Sequence, residues 1–69
     1  MNEDDRIIED LKKKIIERAY KQYRKVVPVS RKKNFSECFV QYENMLYFWF
    51  NTDGDTTRII KERIPTKQS

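Results

Sequence analysis

Five consecutive apolar residues, Leu46 to Phe50, constrain the fold of this chain more than any other segment. A strand with one face in solvent alternates apolar and polar residues, whereas an unbroken run is typical of a strand with neighbours on both faces. Turn residues bound the run, with Glu43-Asn44 before it and Asp53-Gly54 after it. The pattern therefore predicts that Met45–Asn51 is the central strand of an antiparallel sheet.

Two more strands are predicted beside it, at about Glu37–Tyr42 and Thr56–Arg63. Glu43-Asn44 is interpreted as a two-residue turn in which Asn44 takes the positive φ, and Asp53-Gly54 as a second two-residue turn. Register then follows by counting. One face of the predicted sheet carries Phe39, Leu46, Phe48, Phe50, Thr57 and Ile59, and the other carries Cys38, Val40, Tyr42, Met45, Tyr47, Trp49, Arg58, Ile60 and Glu62.

The N-terminal part of the chain has the period of a helix. Between about Asp4 and Val27 the apolar residues recur at spacings of three and four, and Pro28 then disfavours helical geometry at the residue before it. The fold class predicted is α+β, in two layers, with one long N-terminal helix packed on a three-stranded antiparallel meander. A single domain is expected over residues 1–64, followed by a disordered tail over residues 65–69.

One helix covers only one face of a sheet, and the face rich in Phe and Ile is assigned to the helix. The other face is predicted to bind a protein partner or a second copy of the chain, because Tyr, Trp, Met and Arg are enriched at interface hot spots. Two alternatives stay open: that the faces are exchanged, or that Phe35 and the C-terminal tail cover this one. The predicted partner-binding residues are Tyr42, Met45, Tyr47, Trp49, Arg58 and Ile60.

Charge suggests an alternative function. Residues 11–33 contain ten Lys or Arg against the one acid Glu17, a net of +9, whereas residues 1–10 carry five acids against Arg6. Such a block predicts sequence-nonspecific, salt-sensitive nucleic-acid binding. A competing interpretation is a solvated helix face held by pairs such as Glu9–Lys13. The possible nucleic-acid-binding residues are Lys14, Arg18, Lys21, Lys25, Arg31, Lys32 and Lys33.

Aromatic residues next to cations also resemble the stacking platforms of single-strand binders. Tyr47 and Trp49 are the candidates, with Arg58 as their cationic neighbour. The basic block lies mainly on the helix, which by the predicted packing covers the opposite face. Stacking and phosphate contacts are therefore expected on opposite sides of the molecule.

Nothing in the sequence indicates catalysis, a cofactor, a metal or a small-molecule substrate. The chain has no histidine, and its single cysteine, Cys38, lies in a predicted strand, where an inert buried thiol is expected. The segment Asn51–Thr56 lacks the ligand spacing of a calcium loop, because Ile60 stands where that loop needs Glu. The acidic N-terminus and short apolar runs predict a cytoplasmic protein without a membrane span. We expect a non-enzyme.

Overall fold

The computed structural model describes residues 3–29, 34–53 and 56–65. It confirms an α+β fold in which one long N-terminal helix packs on an antiparallel sheet. The tail predicted at 65–69 lies outside the described residues except for Pro65, which is exposed. The elements are the helix α1 Glu3–Gln22, the strand β1 Val27–Pro28, a 3-10 helix Phe35–Cys38, and the strands β2 Phe39–Tyr42, β3 Met45–Asn51 and β4 Thr57–Arg63.

Helix α1 is shorter at its C-terminal end than predicted. Acidic residues occupy its first turn and Lys21 its last, as the helix dipole favours. The prediction that it extends to Val27 is wrong, because Val27 and Pro28 are extended and pair with β3. Pro28 fixes its own φ and pushes the residue before it into extended geometry, so the chain leaves the helix before this point.

Strand β3 is central, as predicted. All seven of its residues pair with β4, while its other edge pairs with β2 at residues 45–48 and with β1 at residues 50–51. The sheet therefore has four strands, of which β1 was not predicted.

The structure also corrects the segment before β2. This strand begins at Phe39 rather than Glu37, because residues 35–38 form the 3-10 helix. Cys38 is consequently in the core and not on the outer face of a strand, and its thiol donates to the carbonyl oxygen of Asn34 over 3.6 Å.

The helix covers the Phe-rich face of the sheet, as predicted. Phe48 lies at the centre of the core and stacks on Phe39 and Phe50. Its ring centroid is 4.6 Å from that of Phe39 and 5.1 Å from that of Phe50. Sulfur and aliphatic side chains from the helix, the loops and the sheet complete the packing. The buried cluster is Ile15, Ala19, Val26, Cys38, Leu46, Phe48, Phe50 and Ile60.

The predicted register between β3 and β4 is wrong by one residue. The backbone N–H of Thr52 donates to the carbonyl oxygen of Thr56 over 2.8 Å, so three residues lie between them rather than the two of the predicted turn. Phe48 therefore pairs with Ile60 and not with Ile59. Because side chains alternate along a strand, a slip of one residue moves every side chain of β4 to the other face.

The hairpin between β2 and β3 has the predicted two-residue turn, since Tyr42 pairs with Met45. The positive φ falls on Glu43, at 56°, and not on Asn44 as predicted. A residue with a Cβ adopts this left-handed geometry at a cost of about 1–2 kcal/mol. The turn therefore stores a small amount of strain at Glu43.

The corrected register predicts unequal costs for truncating the two adjacent isoleucines of β4. Ile60→Ala opens a cavity in the core and should lower the free energy of unfolding by about 2–4 kcal/mol. Ile59→Ala removes a side chain that is 43% exposed, and should cost about 0.5–1 kcal/mol. Urea unfolding of both variants measures the difference. The opposite order of costs would show that the register is wrong.

Relief of the strain at Glu43 is a second prediction. Glu43→Gly should raise the free energy of unfolding by about 0.5–1 kcal/mol, because glycine adopts positive φ freely but loses more backbone entropy on folding. Glu43→Ala is the matched control, since it removes the same carboxylate and keeps the Cβ. Equal stabilities of the two variants in urea unfolding would contradict the proposed strain.

Candidate functional site

The sheet has a second face that the helix does not cover, and we call it the open face. Alternation along the paired strands places on it one row of Tyr42, Met45 and Arg63, and a second row of Val40, Tyr47 and Lys61. Trp49 and Ile59 form the third row. The open face is therefore defined by Val40, Tyr42, Met45, Tyr47, Trp49, Ile59, Lys61 and Arg63.

These side chains are accessible to solvent. Tyr42 is 63% exposed and Trp49 is 43% exposed, while Met45 and Tyr47 are half-buried between their neighbours. In the described part of the chain, the large apolar side chains that are exposed are Tyr20, Val40, Tyr42, Trp49 and Ile59. Four of these five lie on the open face, so exposed apolar surface is concentrated there.

Phe35, which was one possible cover for this face, packs elsewhere. Its ring contacts Tyr20 of the helix and Phe48 of the core, with ring centroids 6.2 and 5.6 Å away. Phe35 therefore closes the core on the helix side of the sheet. The C-terminal tail, the other possible cover, lies outside the described residues beyond Pro65.

The structure places four of the six predicted partner-binding residues on the open face and the other two on the helix side of the sheet. Tyr42, Met45, Tyr47 and Trp49 lie on the open face. Arg58 and Ile60 do not, because the register correction turns both toward the helix side. Ile60 is in the core, and the Arg58 guanidinium lies over the ring of Tyr23, 5.5 Å from its centroid.

Three residues of β4 replace them on the open face. Ile59 lies beside Trp49, Lys61 beside Tyr47, and Arg63 beside Met45. The sequence carries no signal that selects them, because Thr57-Ile59-Lys61-Arg63 and Arg58-Ile60-Glu62 are equally mixed in polarity. Only the number of residues in the loop decides which set faces outward.

The open face is positively charged. Lys61 and Arg63 are both exposed, and no Asp or Glu occupies an outward position on the four described strands. The acid nearest to them in β4, Glu62, points to the helix side and forms an ion pair with Arg18. The two cations are thus without a carboxylate neighbour on their own face of the sheet.

The residues of the predicted basic flank have a different arrangement from the expected stripe. Lys14 and Lys21 are exposed on the helix, whereas Lys25 lies beyond its end. Arg18 is engaged by Glu62. Arg31, Lys32 and Lys33 lie outside the described residues.

The ion pairing within the helix also differs from the prediction, since Glu9 pairs with Lys12 over 3.4 Å rather than with Lys13. Lys12 Nζ lies in addition 5.5 Å from the ring centroid of Phe39. Cations near the helix are therefore partly used in contacts within the domain.

A cleft of about 400 Å³ lies between the start of the helix and the turn after β2. Its walls combine the carboxylates of Asp4, Asp5 and Glu43 with the aliphatic side chains of Ile7, Ile8 and Ile64.

Within residues 3–29, 34–53 and 56–65, no group of three or more His, Cys, Asp or Glu is placed to hold a metal ion. No described helix is long and apolar enough to cross a membrane.

Comparison with known proteins finds no relative: no family model, no curated protein and no solved structure matches the chain.

The charge of the open face predicts how Trp49, the only tryptophan of the chain, responds to ionic quenchers. Iodide should quench its fluorescence more than caesium does, relative to free N-acetyltryptophanamide, because nearby cations concentrate anions. The double variant Lys61→Glu, Arg63→Glu should reverse this preference, whereas Lys14→Glu, Lys21→Glu on the helix should leave it unchanged. Equal responses of the two double variants would contradict the assignment of the cations to the open face.

Proposed function

We propose that the protein is a small non-catalytic binding module whose open face binds a negatively charged partner macromolecule. The observation that carries the proposal concerns the sheet face that the helix does not cover, where exposed aromatic side chains lie beside two cations and where the described strands place no acid. Contiguous apolar surface of this kind on a small domain is typical of a binding site. We also propose a cytoplasmic location, because the single cysteine is a buried free thiol.

The residue types of the open face support this function. Trp, Tyr, Met and Arg are over-represented at the centres of interfaces, and Trp and Tyr supply large contact areas at small entropic cost. Tyr47 and Trp49 lie on the central strand, which is paired on both edges. Binding side chains on such a rigid element are held more precisely than side chains on a loop.

Charge favours a different partner over a second copy of the chain. A symmetric dimer through the open face would bring two copies of Lys61 and Arg63 into one interface without an acid from either face. Burying unpaired charge is unfavourable, and like charges across an interface suppress association. An acidic partner turns the same two cations into complementary contacts.

Nucleic-acid binding through the basic helix flank is the second candidate. The exposed lysines Lys14 and Lys21 support it, together with the net +9 of residues 11–33. The ion pair of Arg18 with Glu62 weakens it, because the carboxylate partly neutralises the charge that would attract a phosphate. The flank lies on the helix side of the sheet, so variants separate the two candidates.

Photocrosslinking in the native host tests which surface binds. A benzoylphenylalanine at position 59, on the open face, should give adducts that are absent for the same residue at position 17, on the exposed side of the helix. Adducts at position 59 should fall several-fold when Lys61 and Arg63 are both changed to Glu, because the complementary charge is lost. Similar adduct yields at positions 59 and 17 would contradict the proposal.

Sedimentation at increasing protein concentration tests the competing self-association. We expect a monomer over the range in which the crosslinks form, for the electrostatic reason given above. A dimer that Trp49→Ala dissociates, with unfolding free energy unchanged, would instead identify the partner as a second copy.

A further inference from the structure

We infer that the partner of the open face is a single-stranded nucleic acid, whose bases stack on Tyr47 and Trp49 and whose phosphates contact Lys61 and Arg63. The inference rests on the proposed function and specifies the class of its partner. It depends on the observed register, because a slip of one residue would place both cations on the helix side.

The spacing of the aromatic residues fits separated bases. Tyr47 and Trp49 are two residues apart on one strand, which places them about 6.6 Å apart along it. This distance is roughly twice the 3.4 Å rise between stacked bases in one strand of a duplex. The two rings therefore suit bases that have been drawn apart, as in a bound single strand, and not the closed stack of a duplex.

The cations lie where the backbone of such a strand would pass. Lys61 is the partner of Tyr47 across the adjacent strand β4, about 4.8 Å away in the plane of the sheet. Arg63 follows two residues later on the same face and is exposed. A backbone that runs along β4 thus meets two cations, while its bases extend over the central strand β3.

Tyr42 extends the platform across the sheet. Tyr42 lies on β2, in the same row as Met45 of β3 and Arg63 of β4, so β3 separates it from Arg63. Its side chain is 63% exposed. Aromatic rings accept any base, because every base has a π-face. Because stacking does not distinguish one base from another, binding that is dominated by stacking should depend little on base sequence.

The chemistry of stacking separates a nucleic acid from an acidic protein. An acidic protein segment docks its apolar side chains equally well on leucine or on an aromatic ring, whereas a base loses its stacking partner when the ring is removed. Trp49→Leu and Trp49→Phe are therefore a matched pair of variants. Both keep an apolar side chain at position 49, but only Trp49→Phe keeps an aromatic ring.

The direct test is fluorescence titration of the full chain with labelled ten-nucleotide oligothymidylate and oligouridylate, and with a duplex of equal length. We expect the single strands to bind and the duplex to bind more weakly. Trp49→Leu should weaken single-strand binding by about 5- to 150-fold, the range for the loss of one stacked base. Trp49→Phe should retain most of it.

Salt dependence tests the phosphate contacts. Two contacts to a single strand give a log–log slope of about −1.4, which is a loss of about sevenfold between 50 and 200 mM salt. Lys61→Ala should halve this slope, and so should Arg63→Ala. Lys14→Ala, which removes the same charge from the helix, should not change it. A slope near −5, as for seven contacts of the basic flank, would overturn the inference.

The outcomes separate this inference from the proposed function. Absence of single-strand binding at 50 mM salt, or binding that Trp49→Leu leaves intact, overturns the nucleic-acid assignment. If the adducts formed at position 59 then contain protein and survive nuclease treatment, the open face remains a binding surface, but its partner is a protein. If position 59 gives no adducts above position 17, the proposed function fails as well. Thermal unfolding of each variant excludes loss of folding as the cause.

Discussion

The register in which β3 pairs with β4 decides which side chains enter the core and which face solvent. Three hydrogen bonds secure it where the hairpin closes. The carbonyl of Thr56 accepts from the backbone N–H of Thr52 over 2.8 Å and from the Thr52 hydroxyl over 3.2 Å, and Asn51 Oδ1 accepts from the Thr57 hydroxyl over 2.8 Å. Asn51 and Thr52 are buried, so their polar groups need these partners. With this end closed, Ile60 faces the core and Lys61 faces outward.

The core and the open face lie on opposite sides of the same strand. The long helix α1 covers Phe48 and its neighbours on one side of β3. Only Ile15 and Ala19 of the helix belong to the buried cluster, whereas the strands supply four of its members, Leu46, Phe48, Phe50 and Ile60. The aromatic side chains on the other face of β3 have no layer from the described residues to cover them, and Trp49 among them is exposed to solvent.

The sequence predicted most of the fold because two of its patterns are local and strong. The helical period gave α1, and the unbroken apolar run gave β3, whose register with β2 is as predicted because the Glu43-Asn44 turn has the predicted length. Strand β1 was missed, since two residues carry no period. The three open-face residues of β4 were missed because Ile59 and Ile60 are adjacent, so either could be the buried one, and Asp53-Gly54 favours a two-residue turn by composition alone.

Local sequence patterns predicted the long helix, the strands β2, β3 and β4, the central place of β3, and aromatic residues on both of its faces. These properties follow from periodicity and turn chemistry within a few residues. The identity of the β4 residues on the open face came from contacts across the fold. The reason is physical: loops of two and three residues differ little in local preference, and the choice between them depends on distant contacts. Those contacts are the burial of Ile60 against Phe48 and the pairing of Glu62 with Arg18.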